Sequence, residues 1–154
     1  MTQAEWAELR LPRHLIERAS KDGEFAWSID DVPAVIEAAR DANLASIGGQ
    51  LQFRFPGATC ECYWVEVDTY KSVPSWASWQ ERVDRTAAVA RAEFALLLRK
   101  FNFLAEGRNS FPEVFAETER RGQDPARAMW FVWYHQAEKE SDVTESFGTS
   151  LEQS

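Results

Sequence analysis

Only two cysteines, Cys60 and Cys62, occur in 154 residues, and a single residue separates them. Alternate residues of one strand cannot be bridged without an unusual bend, so no secreted-type disulfide framework is expected. The two histidines, His14 and His135, lie far apart and stand in no metal-ligand spacing. Zinc usually takes four ligands, so the C-x-C pair alone is too few and no metal is expected. No G-x-S-x-G elbow, Walker loop or G-x-G-x-x-G fingerprint is present. No catalytic residue is therefore assigned, and no cofactor is expected. Apolar runs fall well short of the roughly 20 residues that span a bilayer, and no basic-then-apolar signal pattern opens the chain. These absences point to a cytoplasmic protein without a membrane partner. Basic clusters are missing too: 17 Lys and Arg face 25 Asp and Glu, a formal charge of −8. The densest basic spot, Glu119-Arg120-Arg121, is diluted by its own acid. Nucleic acid and anionic membrane surfaces, which both select basic patches, are excluded as expected partners.

What is abundant is core-forming material. Hydrophobic residues make up 45% of the chain, and seven tryptophans stand among its aromatics, which argues for a packed domain over most of the length. A chain this size buries roughly two-thirds of its unfolded surface, enough for one core. Residues 1–140 read as a single domain. Beyond them, Asp142, Glu145 and Glu152 meet no basic residue, and 141–154 reads as a disordered acidic tail.

The patterning predicts an α+β fold, a small antiparallel sheet built on a β-hairpin with helices packed on one face. A short helix is predicted from Pro12 to Ala19, then a strand or core anchor at Phe25-Ala26-Trp27. A second helix follows Ser28 or Asp30 as N-cap and carries Val35, Ile36 and Ala39 at helical spacing up to Asn43. The hairpin covers about 49–67: Leu51, Phe53 and Phe55 alternate with polar residues, Pro56 to Thr59 form a four-residue turn, and the chain returns through Cys60 and Cys62. The predicted register sets Phe55 opposite Cys60, Phe53 opposite Cys62 and Leu51 opposite Trp64, with Arg54 facing Glu61. Gly48-Gly49 then falls near Glu66 and signals a bulge or a close backbone approach. A long helix is predicted over about 75–101, starting at Ser75 or Ser78, with a stripe from Trp76 and Trp79 through Phe94 to Phe101. The stripe is expected to cover the hairpin, with homodimerisation as another use. Gly107 to Ser110 reads as a turn and Pro112 to Arg121 as a short helix. Met129 to Tyr134 is too short for periodicity to separate strand from helix, but its aromatic and β-branched content favours a strand beside the hairpin.

The segment Ser46-Ile47-Gly48-Gly49-Gln50-Leu51-Gln52-Phe53, then Pro56-Gly57, then Glu61-Cys62-Tyr63-Trp64, resembles small bacterial immunity-type proteins associated with polymorphic toxins. The resemblance runs from Trp27 to Phe103, about half the chain, with Ser75-Trp76 to Arg82 as a second patch. It implies a non-catalytic inhibitor that binds its cognate toxin and blocks it, without cofactor or turnover. The acidic charge suits a basic toxin through electrostatic steering. Glu61, Tyr63, Asp68 and Tyr70, on or after the returning strand's outer side, are the candidate contacts. The competing reading is a small-molecule-binding domain or enzyme, with a pocket between the hairpin, the long helix and the aromatic strand. Glu66, Cys62 and His135 would be its polar groups, with Glu66 placed inward.

Overall fold

The structure, a computed structural model, describes residues 6–139; the expected tail lies outside them. A 3-10 turn at Ala7–Arg10 leads through Pro12 into helix α1 (Arg13–Arg18). Strand β1 (Ala26–Trp27) and a 3-10 turn at Ile29–Asp31 precede α2 (Val32–Asp41). The side chains of Ser28, Asp30 and Asp31 make no cap bond; Asp31 instead pairs with Arg18 at 2.8 Å. Asn43, at φ 61°, takes the left-handed conformation that turns the chain out of α2.

Strands β2 (Ala45–Phe55) and β3 (Ala58–Asp68) follow, then α3 (Trp79–Lys100), α4 (Phe103–Ser110), α5 (Pro112–Arg120) and β4 (Met129–Gln136). The four strands form one antiparallel sheet in the order β1-β4-β2-β3. The aromatic run is therefore a central strand, inserted between the first strand and the hairpin. Leu51, Phe53, Phe131 and Trp133 form the inner face and are buried. The helices lie on this face: Phe94 of α3 packs edge-on to Phe131 at 5.1 Å, and Phe115 of α5 does so on Phe53 at 5.0 Å.

The hairpin register differs from the predicted one by two residues. Its turn is Pro56-Gly57 alone, with Gly57 at φ 78°, so Phe53 pairs with Cys60 and Leu51 with Cys62. A two-residue slip keeps every side chain on its predicted face, which is why alternation could not detect it. Further along, Gln50 pairs with Glu66 while its neighbour Leu51 pairs with Cys62, so Tyr63, Trp64 and Val65 bulge out of the ladder. That irregularity reverses the alternation. Val65 and Val67 turn inward, and Glu66, expected inward, turns out to solvent.

The long helix begins at Ser78, whose hydroxyl accepts from the Glu81 backbone N–H at 3.2 Å. Trp76 lies outside the helix and is 81% exposed, so it does not belong to the buried stripe of Val83, Ala87, Ala90 and Phe94. The predicted turn at Gly107 is instead the interior of α4, capped by Asn102, whose side chain accepts from Ala105 N–H at 3.0 Å. Gly107 is a packing residue. A Cβ there would stand 2.3 Å from the Phe53 ring and 2.8 Å from that of Phe115.

Candidate functional site

Strand β3 is the free margin of the sheet, and the four candidate contact residues lie along it or just beyond. Glu61 is exposed opposite Gln52 and accepts from the Gln52 amide at 2.9 Å. Tyr63 is thrown out by the bulge, 68% exposed, and stands edge-on to Trp64 at 5.3 Å. Trp64 in turn donates from its ring nitrogen to Glu106 of α4 at 2.8 Å. Asp68 is exposed and accepts from the Tyr70 backbone N–H at 2.9 Å, which fixes the 3-10 turn (Tyr70–Ser72) where Tyr70 is 76% exposed.

The charges of this margin are uncompensated. Ion pairs elsewhere join α2 to α3 (Arg40–Asp84, Arg91–Glu37) and α4 to α5 (Arg108–Glu119), and Arg18 to Asp31. Glu61, Glu66, Asp68 and Glu106 take part in none of the ion pairs among the described residues. Glu93 of α3 feels the result: burial, with the charges of Asp68 and Glu66 added, holds its carboxyl above the ordinary range.

Glu66, Cys62 and His135 do not share a pocket. Glu66 is outside, paired in register with Gln50, whereas Cys62 is fully buried under the helices. Burial, with small contributions from Cys60 and Glu106, pushes the Cys62 thiol up to about 12, and Cys60 is also pushed up by burial. Both are inert core thiols rather than nucleophiles. His135 sits on the inner face of β4 with its side chain buried. Its Nδ1 and its backbone nitrogen each lie 3.3 Å from the Glu8 carboxylate, and its ring meets Trp27 edge-on at 6.1 Å. Burial opposes charge on Glu8, but the His135 hydrogen bond and charge outweigh it and hold this carboxyl below the ordinary range. The pair ties the N-terminal turn to the sheet. Nothing in the sequence spacing connects Glu8 with His135, so the contact was not legible there.

Open clefts lie elsewhere. One of about 500 Å³ runs beside the hairpin turn between Arg54, Phe55, Gln123 and Arg127. Arg54 is committed to the fold there: it donates to Gln52, to the Ser20 hydroxyl at 2.8 Å and to the Glu24 carbonyl at 2.7 Å. No group of histidine, cysteine, aspartate and glutamate among the described residues is arranged to hold a metal ion. No helix among the described residues is long and apolar enough to cross a membrane. Comparison of the chain with protein-family models, with curated proteins and with solved structures gives no match.

Proposed function

We propose that this chain is a non-catalytic inhibitor, an immunity protein that neutralises a cognate bacterial toxin by binding it directly. The observation that carries the reading is the β3 margin, where exposed Tyr63 and Tyr70 alternate with carboxylates that have no ion pair among the described residues. Exposed aromatics supply anchoring area at an interface, and unpaired acids steer a basic partner towards it. The inward candidate groups of the enzyme reading point the other way, since Cys62 is inert and His135 is bound to Glu8. Reduced, buried thiols fit action in the cytoplasm.

Expression of the adjacent reading frames, alone and together with this chain, tests the reading. A neighbour that is toxic alone, harmless on co-expression and recovered as a stoichiometric complex supports it. Absence of any such neighbour, with a metabolite-induced thermal shift in this chain, overturns it in favour of a small-molecule site. In the supported case, Glu61→Lys combined with Asp68→Lys weakens the complex at least about tenfold, chiefly through faster dissociation and lost steering.

A further inference from the structure

On the outer face of the sheet, the register aligns side chains in rows. Tyr134, Gly48 and Asp68 form one row across β4, β2 and β3, and Val132, Gln50 and Glu66 form the next row on the same face. The middle position of the first row has no side chain. Neighbouring strands lie about 4.8 Å apart, so Tyr134 and Asp68 flank a gap of about 10 Å. The gap is a shallow depression of about 150 Å³, floored by Gly48 and Gly49 and bordered by Tyr134, Gln50, Glu66 and Asp68.

The gap is built into the backbone. Gly48 sits at φ 146° beside the bulge between Ser46 and Gly48, and a Cβ there would lie 2.1 Å from the Val67 carbonyl oxygen. No other residue fits, so the face keeps its notch. Its rim has one chemical character: a half-exposed phenol ring on one side and, on the other, two exposed carboxylates without an ion-pair partner among the described residues. Among the described residues, the one cation whose charge reaches Tyr134, Arg54, is held by Gln52, Ser20 and Glu24, and Lys100 shares a separate cleft with Glu66, its ammonium 5.2 Å from the Phe101 ring centroid.

We propose that this unpartnered sheet face docks a basic protein partner by taking one arginine side chain of that partner into the Gly48 notch. The guanidinium plane lies against the Tyr134 ring, and its N–H groups donate to the Glu66 and Asp68 carboxylates and to the Gln50 carbonyl oxygen. Arginine rather than lysine is specified because a planar fork can stack on an aromatic ring and serve two carboxylates at once. The assignment rests on the protein-binding reading above and names the anchor by which the partner is held.

The first test needs no partner. The folded chain, labelled with nitrogen-15, is titrated with Nα-acetyl-arginine amide, Nα-acetyl-lysine amide and the neutral isostere Nα-acetyl-citrulline amide. Arginine is expected to give saturable shifts at the Gly48, Gly49, Gln50, Asp68 and Tyr134 amides, lysine weaker ones and citrulline none. Tyr134→Ala and the pair Glu66→Gln with Asp68→Asn reduce the arginine affinity roughly fivefold, and Tyr134→Phe keeps it. Equal responses to citrulline or lysine, or variants that bind arginine as the wild type does, overturn the proposal. The second test uses the toxin complex. A toxin bound with unchanged affinity by Tyr134→Ala and by Glu66→Gln overturns the notch and leaves the inhibitor reading standing. A wild-type chain with no toxin to bind overturns the inhibitor reading, and the arginine titration still decides the notch.

Discussion

The two sides of β2 and β3 are made from the same pair of eleven-residue strands, yet they carry opposite constraints. The inner side is saturated: Leu51, Phe53, Cys62 and Val65 have no solvent exposure, and Gly107 is a glycine because Phe53 occupies the space of a side chain. The outer margin, an edge paired only with β2, leaves its charges alone. Its carboxylates find amide or indole donors, as Glu61 and Glu106 do, but no cation. The α2–α3 and α4–α5 pairs show that this chain places arginine opposite acid where helices meet. Exposed ion pairs contribute little to stability, so their absence along β3 costs the fold almost nothing. It leaves a surface whose carboxylates are open to solvent and available to a cationic group. If the β3 margin serves recognition as proposed, the inner face accounts for folding alone, and variants on the two sides should separate cleanly.

The sharpest separation is expected from the core. Phe94 is 2% exposed and meets Phe131 and Phe103 edge-on, joining α3 to the sheet and to α4. Phe94→Ala is expected to cost about 3–5 kcal/mol, from lost transfer energy and the cavity left behind. Urea unfolding should show a lowered midpoint, while any toxin complex still formed by the folded fraction should keep its affinity. A variant that unfolds normally but no longer binds would break the division between the faces.

This division also explains what was legible in the sequence. Period-2 alternation identified both hairpin strands and the inward cysteines, because one buried face forces one parity. It could not find the two-residue slip, which preserves parity, nor the three-residue bulge at Tyr63 to Val65, which reverses it. Glu66 was misplaced for that reason alone. Composition suggested the strand at Met129 to Tyr134, where aromatics crowd between β1 and β2. The same local reading failed at Gly107: a glycine beside Arg108-Asn109-Ser110 has the chemistry of a turn, and only Phe53, distant in sequence, makes it helical. Ser78 with Glu81 was one of two starts the sequence offered for α3, beside Ser75, and Trp76 fitted the stripe by spacing while lying before the helix. Glu61 and Tyr63, whose exposure follows the alternation set by Cys60 and Cys62, could be nominated from the strand's parity. The Glu8–His135 contact, spanning nearly the whole chain, could not.

That contact gives a smaller, pH-dependent effect on the inner side. Glu8 has its pKa lowered in the folded state, so its contribution is present above the unfolded carboxylate value and is lost as pH falls through the folded one. Glu8→Gln is expected to flatten the acid limb of the stability profile below the ordinary carboxylate range. Glu8→Ala leaves the His135 backbone N–H and Nδ1 without their acceptor and is expected to cost about 1–3 kcal/mol at neutral pH. Thermal unfolding from pH 3 to 7 measures both. An acid limb equally steep in Glu8→Gln and wild type would show that other carboxylates govern acid unfolding.

The smallest expected stability effect belongs to the recognition margin and is the most discriminating. Glu61 and Asp68 are exposed and hold no ion pair, so reversing both charges removes no cation contact. Glu61→Lys loses the acceptor of the Gln52 amide, and Asp68→Lys loses the acceptor of the Tyr70 N–H. The second group lies at the surface, where water replaces it; Gln52 is only 2% exposed, so the first loss is the dearer one. Against these losses stands a gain, because Asp68→Lys removes one of the two charges, Asp68 and Glu66, that add to burial in raising the Glu93 carboxyl. The opposed effects predict a net change of no more than about 1 kcal/mol, read as a urea midpoint close to that of the wild type. A loss comparable with that of Phe94→Ala would mean that the acidic margin is part of the fold's own support, and the separation between the two sides of β3 would fail.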